Sequence, residues 1–145
     1  MATDEDALRE ANARFYAAVE ELDLAAMDAV WAHDGWVRCV HPGWEVVEGW
    51  EAVRASWERI FTHTRWLRVT PTAVAVANFG DVGLVACSEN ITASDDGDGA
   101  GADVGVAVAQ ATNVFARTPA GWRLRHHHAS SSPVHVTQAF SGTAQ

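Results

Sequence analysis

The spacing of apolar residues changes once along this chain, and that change constrains the fold more than any other feature. Up to about residue 61, apolar side chains recur every three or four positions, as they do on one face of an α-helix. From Trp66 onward they alternate with other residues, which is the period of a β-strand. Helices followed by consecutive strands predict an α+β fold with an antiparallel sheet rather than alternating α/β units.

Local signals place the individual elements. Residues 5–22 carry one apolar stripe and predict a first helix, and Asp23 is a candidate N-cap for a short second helix. Pro42 and Gly43 predict a turn between two short strands, and Gly49 opens a third helix. Longer strands are predicted at 66–78, 82–93, 103–117 and 121–130.

Length and charge exclude several classes of protein. The 145 residues are enough for one hydrophobic core, so we expect a single domain over residues 1–145. The net charge of −9 argues against nucleic-acid binding. The apolar runs are too short to span a membrane, and the N-terminus lacks the features of a signal peptide. We therefore expect a cytoplasmic protein with no membrane partner, in which Cys39 and Cys87 are reduced.

The acidic segment 94–103 resembles a calcium loop only in part. Counted from Asp96 or Asp98, the twelfth position, which holds a closing glutamate in such loops, is Ala107 or Ala109. The segment is therefore predicted to be a solvated hairpin loop, and we expect no metal or other cofactor.

Two features indicate a ligand cavity and a second copy of the chain. Six of the seven tryptophans lie within residues 31–66, and large aromatic rings fill a core or line an apolar cavity. Most of them are explained by core packing. On the strand at 103–117, one face carries small residues, Asn113 and Phe115, whereas the other carries mostly valine and threonine. Because both faces are largely apolar, we predict a homodimer in which the second face packs against another sheet.

The order of these elements and four landmarks resemble the nuclear transport factor 2-like superfamily, and most of all its SnoaL-like branch. The landmarks are "FYAAVEELDLAAMDAVWAHD", "VHPGW", "VEGWEAVRASW" and "TNVFARTPAGWRLRHHHASSSP". The resemblance implies a cystatin-like cone, in which a strongly curved antiparallel sheet wraps around the helices, with a pocket at the open end and dimerisation through the outer sheet face. Ketosteroid isomerases, polyketide cyclases, dehydratases and non-catalytic modules share this fold, so the resemblance alone does not fix the function.

The ketosteroid isomerases allow a comparison residue by residue. Their catalytic base corresponds to His41, their protonated oxyanion-binding aspartate to Asn113, and their donor tyrosine on the first helix to Phe15. Histidine titrates near neutrality and can transfer a proton, and asparagine offers a neutral N–H donor. Phe15 donates no hydrogen bond, so the resemblance does not support steroid-type isomerisation.

Each polar candidate has a structural alternative. His41 precedes a Pro-Gly turn and either caps that turn or faces the pocket. A buried Asn113 amide must be hydrogen-bonded, and Glu89 or the backbone would satisfy it. Glu89 has a raised pKa and acid–base capacity if it is buried, but is an ordinary surface charge if its strand end is exposed. Its neighbours on the strand face are apolar: Val85, Cys87 and Ile91.

Three consecutive histidines lie in the last predicted strand. Because successive strand residues point to opposite faces, His126 and His128 share one face and His127 takes the other, which excludes three adjacent ligands on one metal. The simple alternation from Trp122 and Leu124 places His126 and His128 inward. The resemblance instead implies that His127 faces the pocket, and we adopt this second interpretation.

The sequence therefore predicts a homodimeric cone that binds a small, mostly apolar molecule. The predicted ligand pocket comprises Phe15, Trp31, Val53, Trp57, Glu89, Phe115 and His127. If the protein is an enzyme, the resemblance implies isomerisation, dehydration or cyclisation without a cofactor, with His41 as general base and Asn113 stabilising an oxyanion. The alternative is a non-catalytic ligand-binding or assembly module.

Overall fold

Three helices pack against a six-stranded sheet in the computed structural model, which describes residues 3–95 and 104–133. The helices are α1 (Asp4–Glu20), α2 (Leu24–Val30) and α3 (Trp50–Thr62). The strands are β1 (Arg38–Val40), β2 (Val47–Glu48), β3 (Thr64–Asn78), β4 (Val82–Asp95), β5 (Val104–Thr118) and β6 (Gly121–Ser132). The predicted α+β fold is confirmed. Most of the acidic segment 94–103, including Asp96 and Asp98, lies outside the described residues.

Two of the three helices begin at the residues that the sequence indicates. Thr3 and Asp6 form a reciprocal capping box at the start of α1, and the Asp23 carboxylate accepts a hydrogen bond from the Ala26 N–H at the start of α2. Gly49 precedes α3 with a φ of +87°, a conformation that residues with a side chain rarely adopt. Both predicted helix starts, at Asp23 and Gly49, are therefore confirmed.

The strand order is β2-β1-β6-β5-β4-β3, and the four long strands are antiparallel. β1 differs from the predicted antiparallel pattern because it pairs with β6 in parallel. The chain between β1 and β6 passes through α3 and three long strands, which is ample length for a parallel connection. In this register His127 of β6 pairs with Cys39 of β1 on one side and with Asn113 of β5 on the other. These three strands therefore lie next to one another close to His41, the residue that follows β1.

A β-bulge in β6 determines which histidine faces the helices. Val114 pairs with His126 and Phe115 pairs with Leu124, so that Arg125 is an extra residue in β6. The extra residue reverses the alternation, and the buried residues change from Trp122 and Leu124 to His127 and Ala129. The simple alternation that placed His126 and His128 inward is wrong for this reason, and His127 points toward the helices.

Gly83 marks the closest approach of the sheet to α1. A Cβ atom at this position would lie 2.3 Å from Leu8 Cδ2, and the Leu8 side chain is fully buried. We expect Gly83→Ala to lower the free energy of unfolding by about 1–3 kcal/mol, because overpacking forces buried side chains to move. Gly105→Ala is the matched control, since its Cβ would meet nothing closer than the Ala93 carbonyl at 4.0 Å. Urea unfolding measures both variants, and equal effects would contradict the packing described here.

Within residues 3–95 and 104–133, no helix combines the length and apolar character needed to cross a membrane.

Candidate functional site

A cavity of about 200 Å³ lies between α1, α3 and the inner face of the sheet. It is smaller than the pockets of roughly 300–1,000 Å³ that hold drug-sized ligands, and nearer to the roughly 150 Å³ cavity that accommodates benzene. Its size therefore favours a ligand of about one ring. The wall is mostly apolar and is lined by Phe15, Tyr16, Val19, His41, Pro42, Trp44, Trp57, Ile60, Leu67, Val69, Glu89, Ile91 and His127.

The structure brings most of the predicted site residues to this wall. Of the predicted set, the cavity is lined by Phe15, His41, Trp57, Glu89 and His127. Trp31, Val53 and Phe115 are instead fully buried core residues, and Asn113 lies behind the wall. Trp31 follows the end of α2 and pairs with Leu124 in an isolated bridge, which directs it into the core. The structure therefore places Trp31, Val53 and Phe115 in the core and not on this wall.

A chain of hydrogen bonds runs beneath the cavity. The Tyr16 hydroxyl donates to Glu89 Oε2 at 2.7 Å. The Asn113 amide donates to Asn12 Oδ1 at 2.8 Å and to the Tyr16 hydroxyl oxygen at 3.1 Å. His127 Nδ1 and Asn113 Oδ1 are 2.5 Å apart. All five side chains are buried, so Asn113 is satisfied by Asn12, Tyr16 and His127 rather than by Glu89 or the backbone.

These contacts correct two expectations about donors. Both N–H groups of Asn113 are already engaged, so this amide has no donor left for an oxyanion and acts by positioning its neighbours. The first helix does supply a phenol, from Tyr16 rather than from the compared position Phe15. Tyr16 is the residue directly after the position that corresponds to the donor tyrosine of the ketosteroid isomerases. A usable signal was the spacing of Asn12 and Tyr16, four residues apart beside the apolar stripe of α1.

The partners of the two buried histidines fix their tautomers. Asn113 Oδ1 only accepts hydrogen bonds, so His127 carries its proton on Nδ1 and leaves Nε2 unprotonated. The Ser56 hydroxyl donates to the Val53 carbonyl at 2.6 Å, so its oxygen accepts from His41 Nε2 at 2.9 Å. His41 therefore has an unprotonated Nδ1. Sequence reasoning did not identify Ser56, although it lies within the apolar stripe of α3.

Burial sets the charge of the site. It lowers the pKa of His41 to about 4. Burial, together with the nearby His41, His126 and His128, lowers the pKa of His127 to about 3. Burial raises the pKa of Glu89, and the hydrogen bond from Tyr16 opposes this shift. His127 Nε2 lies 3.9 Å from Glu89 Oε2, but the two residues are not an ion pair at neutral pH because the imidazole is uncharged.

Aromatic rings enclose His41 and account for its desolvation. The Trp57 and Trp44 rings meet the imidazole edge-on, with centroid distances of 4.6 and 4.7 Å. Trp44 lies at the mouth, with 38% of its surface exposed. The buried indole N–H groups of Trp57 and Trp31 have no hydrogen-bond partner in the described part of the chain. Since buried donors are normally paired, the wall beside Trp57 retains unused hydrogen-bonding capacity.

His126 and His128 lie on the outer face of the sheet, as the resemblance implied. Their rings are 6.2 Å apart and contribute to a shallow groove of about 650 Å³. The described residues contain no group of three or more histidine, cysteine or acidic side chains arranged to hold a metal ion. The groove is lined by Ala73, Ala86, Cys87, Ser88, Gln110, Ala111, Thr112, Val114, His126, His128 and Ser130.

Residues 8–135 match the SnoaL-like domain family. The chain belongs to this family, within the nuclear transport factor 2-like superfamily. A similar solved structure is a provisionally named dehydratase of the nuclear transport factor 2-like family from Streptomyces avermitilis, with 36% identity and a TM-score of 0.82. The match covers 90% of this SnoaL-like chain and 98% of that protein. The neighbouring structures confirm the cystatin-like cone and its strongly curved sheet.

Two further relatives of this SnoaL-like protein differ in their described roles. A provisionally named calcium/calmodulin-dependent protein kinase type II association domain from Thiobacillus denitrificans is 34% identical, with a TM-score of 0.71 over 85% of this chain and 93% of that one. The F-box protein SKIP8 of Arabidopsis thaliana is 24% identical over 119 residues, which are 82% of this chain and 47% of that protein. The chain thus spans about half the length of this curated relative.

Proposed function

We propose that this SnoaL-like protein binds a small, mostly apolar molecule in the cavity and catalyses a proton transfer without a cofactor. The reaction class is isomerisation, dehydration or cyclisation. One observation carries the proposal: an apolar cavity of about 200 Å³ is lined by His41, whose Nδ1 is unprotonated, and by a buried carboxyl group of raised pKa. Such a pair, with pKa values shifted by burial, is typical of acid–base sites.

In the proposed reaction, His41 is the general base and Glu89 is the general acid. His41 Nδ1 accepts a proton from the bound molecule, while Ser56 holds Nε2 and stabilises the imidazolium that forms. Glu89 has the buried setting in which a carboxyl group keeps its proton to a higher pH. The Tyr16 hydroxyl orients this carboxyl group through its 2.7 Å hydrogen bond. The similarity to a provisionally named dehydratase supports chemistry of this class.

Exchange of carbon-bound hydrogen tests the role of His41. Cyclohexanone in D₂O loses its α-hydrogens to solvent, and NMR measures the rate. We expect the protein to accelerate this exchange and His41→Ala to lower the accelerated rate by about 10²- to 10⁴-fold, the usual contribution of a positioned base. His128→Ala, on the outer sheet face, is the control and should retain the rate. A wild-type rate no higher than that of buffer would contradict catalysis and leave ligand binding as the function.

The alternative function is assembly through the outer sheet face, and the groove beside His126 and His128 favours it. We propose that two copies pack through this face, whose exposed residues include Val106. The similarity to a kinase association domain at 34% identity agrees with an assembly role.

A charge placed in the groove tests the proposed dimer. Thr112 is exposed on the central strand of the groove, so Thr112→Arg would bury a charge at the interface. We expect the dimer dissociation constant to rise by at least about tenfold in sedimentation experiments. Ala13→Arg, on the exposed face of α1, is the control. A wild-type chain that sediments as a monomer at micromolar concentration would rule out this assembly.

A further inference from the structure

Two polar atoms on the cavity wall are separated by the distance that one bridging atom requires. His127 Nε2 and Glu89 Oε2 lie 3.9 Å apart, which is too long for a direct hydrogen bond. An oxygen atom placed about 2.8 Å from both would make an angle of roughly 90° between them, which hydrogen bonds tolerate at an oxygen. Both residues line the cavity, so this bridging position lies within reach of a bound molecule.

The chemistry of the two atoms restricts what the bridging group can be. His127 Nε2 carries no proton, because Nδ1 donates to Asn113, so the bridging group must donate to it. The Glu89 carboxyl group, when protonated, donates in the other direction. A hydroxyl group donates once and accepts at the same oxygen. A carbonyl oxygen cannot donate to Nε2, and an ammonium group cannot accept from the acid.

We infer that the cavity recognises a hydroxyl group, and that its ligand is a neutral alcohol of about one ring whose hydroxyl lies between His127 Nε2 and Glu89. This inference rests on the cavity of the proposed function and names the class of its substrate. The remaining wall is mostly apolar and fits the carbon skeleton of such a molecule. The bridging hydroxyl satisfies an acceptor and a donor that are both removed from bulk water.

Asn113 is the positioning residue for this recognition. Its Oδ1 accepts from His127, and this orientation is fixed because its N–H groups donate to Asn12 and Tyr16. The Tyr16 hydroxyl also lies 3.3 Å from the Cys87 thiol sulfur, so the chain of contacts extends from α1 to β4. If the amide were reversed, it would present N–H to His127 and shift the ring proton to Nε2. The cavity would then favour a carbonyl group over a hydroxyl group.

A comparison of four six-membered-ring probes tests the inference on the full chain. Calorimetry or NMR titration gives the affinities of cyclohexanol, cyclohexanone, cyclohexylamine and methylcyclohexane, which differ mainly in the polar group. We expect cyclohexanol to bind at least about tenfold more tightly than each of the others, the effect of one buried hydrogen bond. Tighter or equal binding of cyclohexanone or of the ammonium form of cyclohexylamine would overturn the inference.

Variants locate the preference at the two residues. His127→Phe removes the acceptor and should abolish the preference for cyclohexanol. Glu89→Gln places an amide where Oε2 both accepts from Tyr16 and faces the ligand, so it should weaken the preference, whereas the outer-face control His128→Phe should retain it. A preference that survives His127→Phe, or that is lost in His128→Phe, would contradict the inference.

A measurement on the wild-type chain covers the case in which His127→Phe does not fold. The ¹⁵N resonance of His127 Nε2 should shift on addition of cyclohexanol but not of methylcyclohexane, and an unchanged resonance would overturn the inference. The result is independent of turnover. If the protein does not accelerate cyclohexanone exchange but still prefers cyclohexanol, the proposed catalysis is disproved and hydroxyl recognition is supported. If cyclohexanone exchange is accelerated but cyclohexanol is not preferred, only the proposal of hydroxyl recognition is disproved.

Discussion

Lowering the pH from 7 to 5 is expected to reduce the free energy of unfolding by roughly 2 kcal/mol for each of the buried residues His41 and His127. Burial lowers the pKa of His41 to about 4 and that of His127 to about 3, whereas each titrates near 6.5 when unfolded. Between these values the unfolded chain binds protons that the folded chain excludes. The stabilisation from the neutral rings is therefore complete above pH 6.5 and is lost as the pH falls toward 4 and 3.

Glu89 changes the free energy of unfolding with pH in the direction opposite to that of the two histidines. Burial raises its pKa, so the folded chain takes up this proton before the unfolded chain does. The corresponding stabilisation is present below the unfolded pKa of about 4.5 and is lost as the pH rises through the folded value. The titratable groups that interact with this carboxyl are Tyr16, Cys39, Cys87 and His127. Glu89→Gln should therefore enlarge the loss of stability between pH 7 and pH 5.

Urea unfolding at pH 7 and pH 5 measures these contributions separately. His127→Gln and His41→Gln should each reduce the difference between the two pH values by roughly 2 kcal/mol, because each variant removes one excluded proton. His63→Gln is the control, since this histidine is exposed at the end of α3. Equal stability of the wild-type protein at pH 5 and pH 7, with the same result for the variants, would disprove the claim that His41 and His127 are buried in the neutral form.

Asn113→Ala is expected to lower the free energy of unfolding by about 3 kcal/mol, because two buried groups lose their partners. The His127 Nδ1–H donor and the Asn12 Oδ1 acceptor would both lose their hydrogen bonds to Asn113, and both residues are buried away from water. Tyr16 would keep its hydrogen bond to Glu89. The expected loss is therefore larger than that of a single hydrogen bond.

Asn90→Ala is the matched control for this prediction. Asn90 also lies in the long-strand sheet and also makes side-chain hydrogen bonds, to Thr70 and Thr72, but it is exposed. Water replaces its partners after truncation, so we expect a change within about 0.5 kcal/mol. Equal destabilisation by Asn113→Ala and Asn90→Ala would contradict the buried network.

The sequence predicts the scaffold well because local physics determines it. Helical and strand periods, the Asp23 cap and the left-handed Gly49 are properties of short segments, and the structure confirms each. The sequence leaves open whether Glu89 is buried or exposed, and the structure shows that it is buried on its otherwise apolar strand face. Alternation fails where the register shifts, as at Arg125 in β6 and between Thr72 and Ala75 in β3. A bulge of this kind leaves no mark in the hydrophobic pattern.

The hydrogen-bond chain beneath the cavity could not be predicted from local patterns. Asn12 and Asn113 are 101 residues apart in sequence, and only the packing of α1 on the sheet brings their amides together. The tautomer of His127 depends on that contact and not on any neighbour in the chain. The sequence does not distinguish core from cavity positions for Trp31, Val53 and Phe115, because apolar residues suit a core and a cavity wall equally well.

One measurement tests the central claim, that the cavity contains two neutral histidines with opposite tautomers. Long-range ¹H–¹⁵N NMR of the imidazoles at pH 6 distinguishes protonated from unprotonated ring nitrogens. The predicted result is His127 with its proton on Nδ1 and a bare Nε2, and His41 with its proton on Nε2 and a bare Nδ1. A spectrum in which either ring is doubly protonated at pH 6, or in which His127 carries its proton on Nε2, would contradict the account.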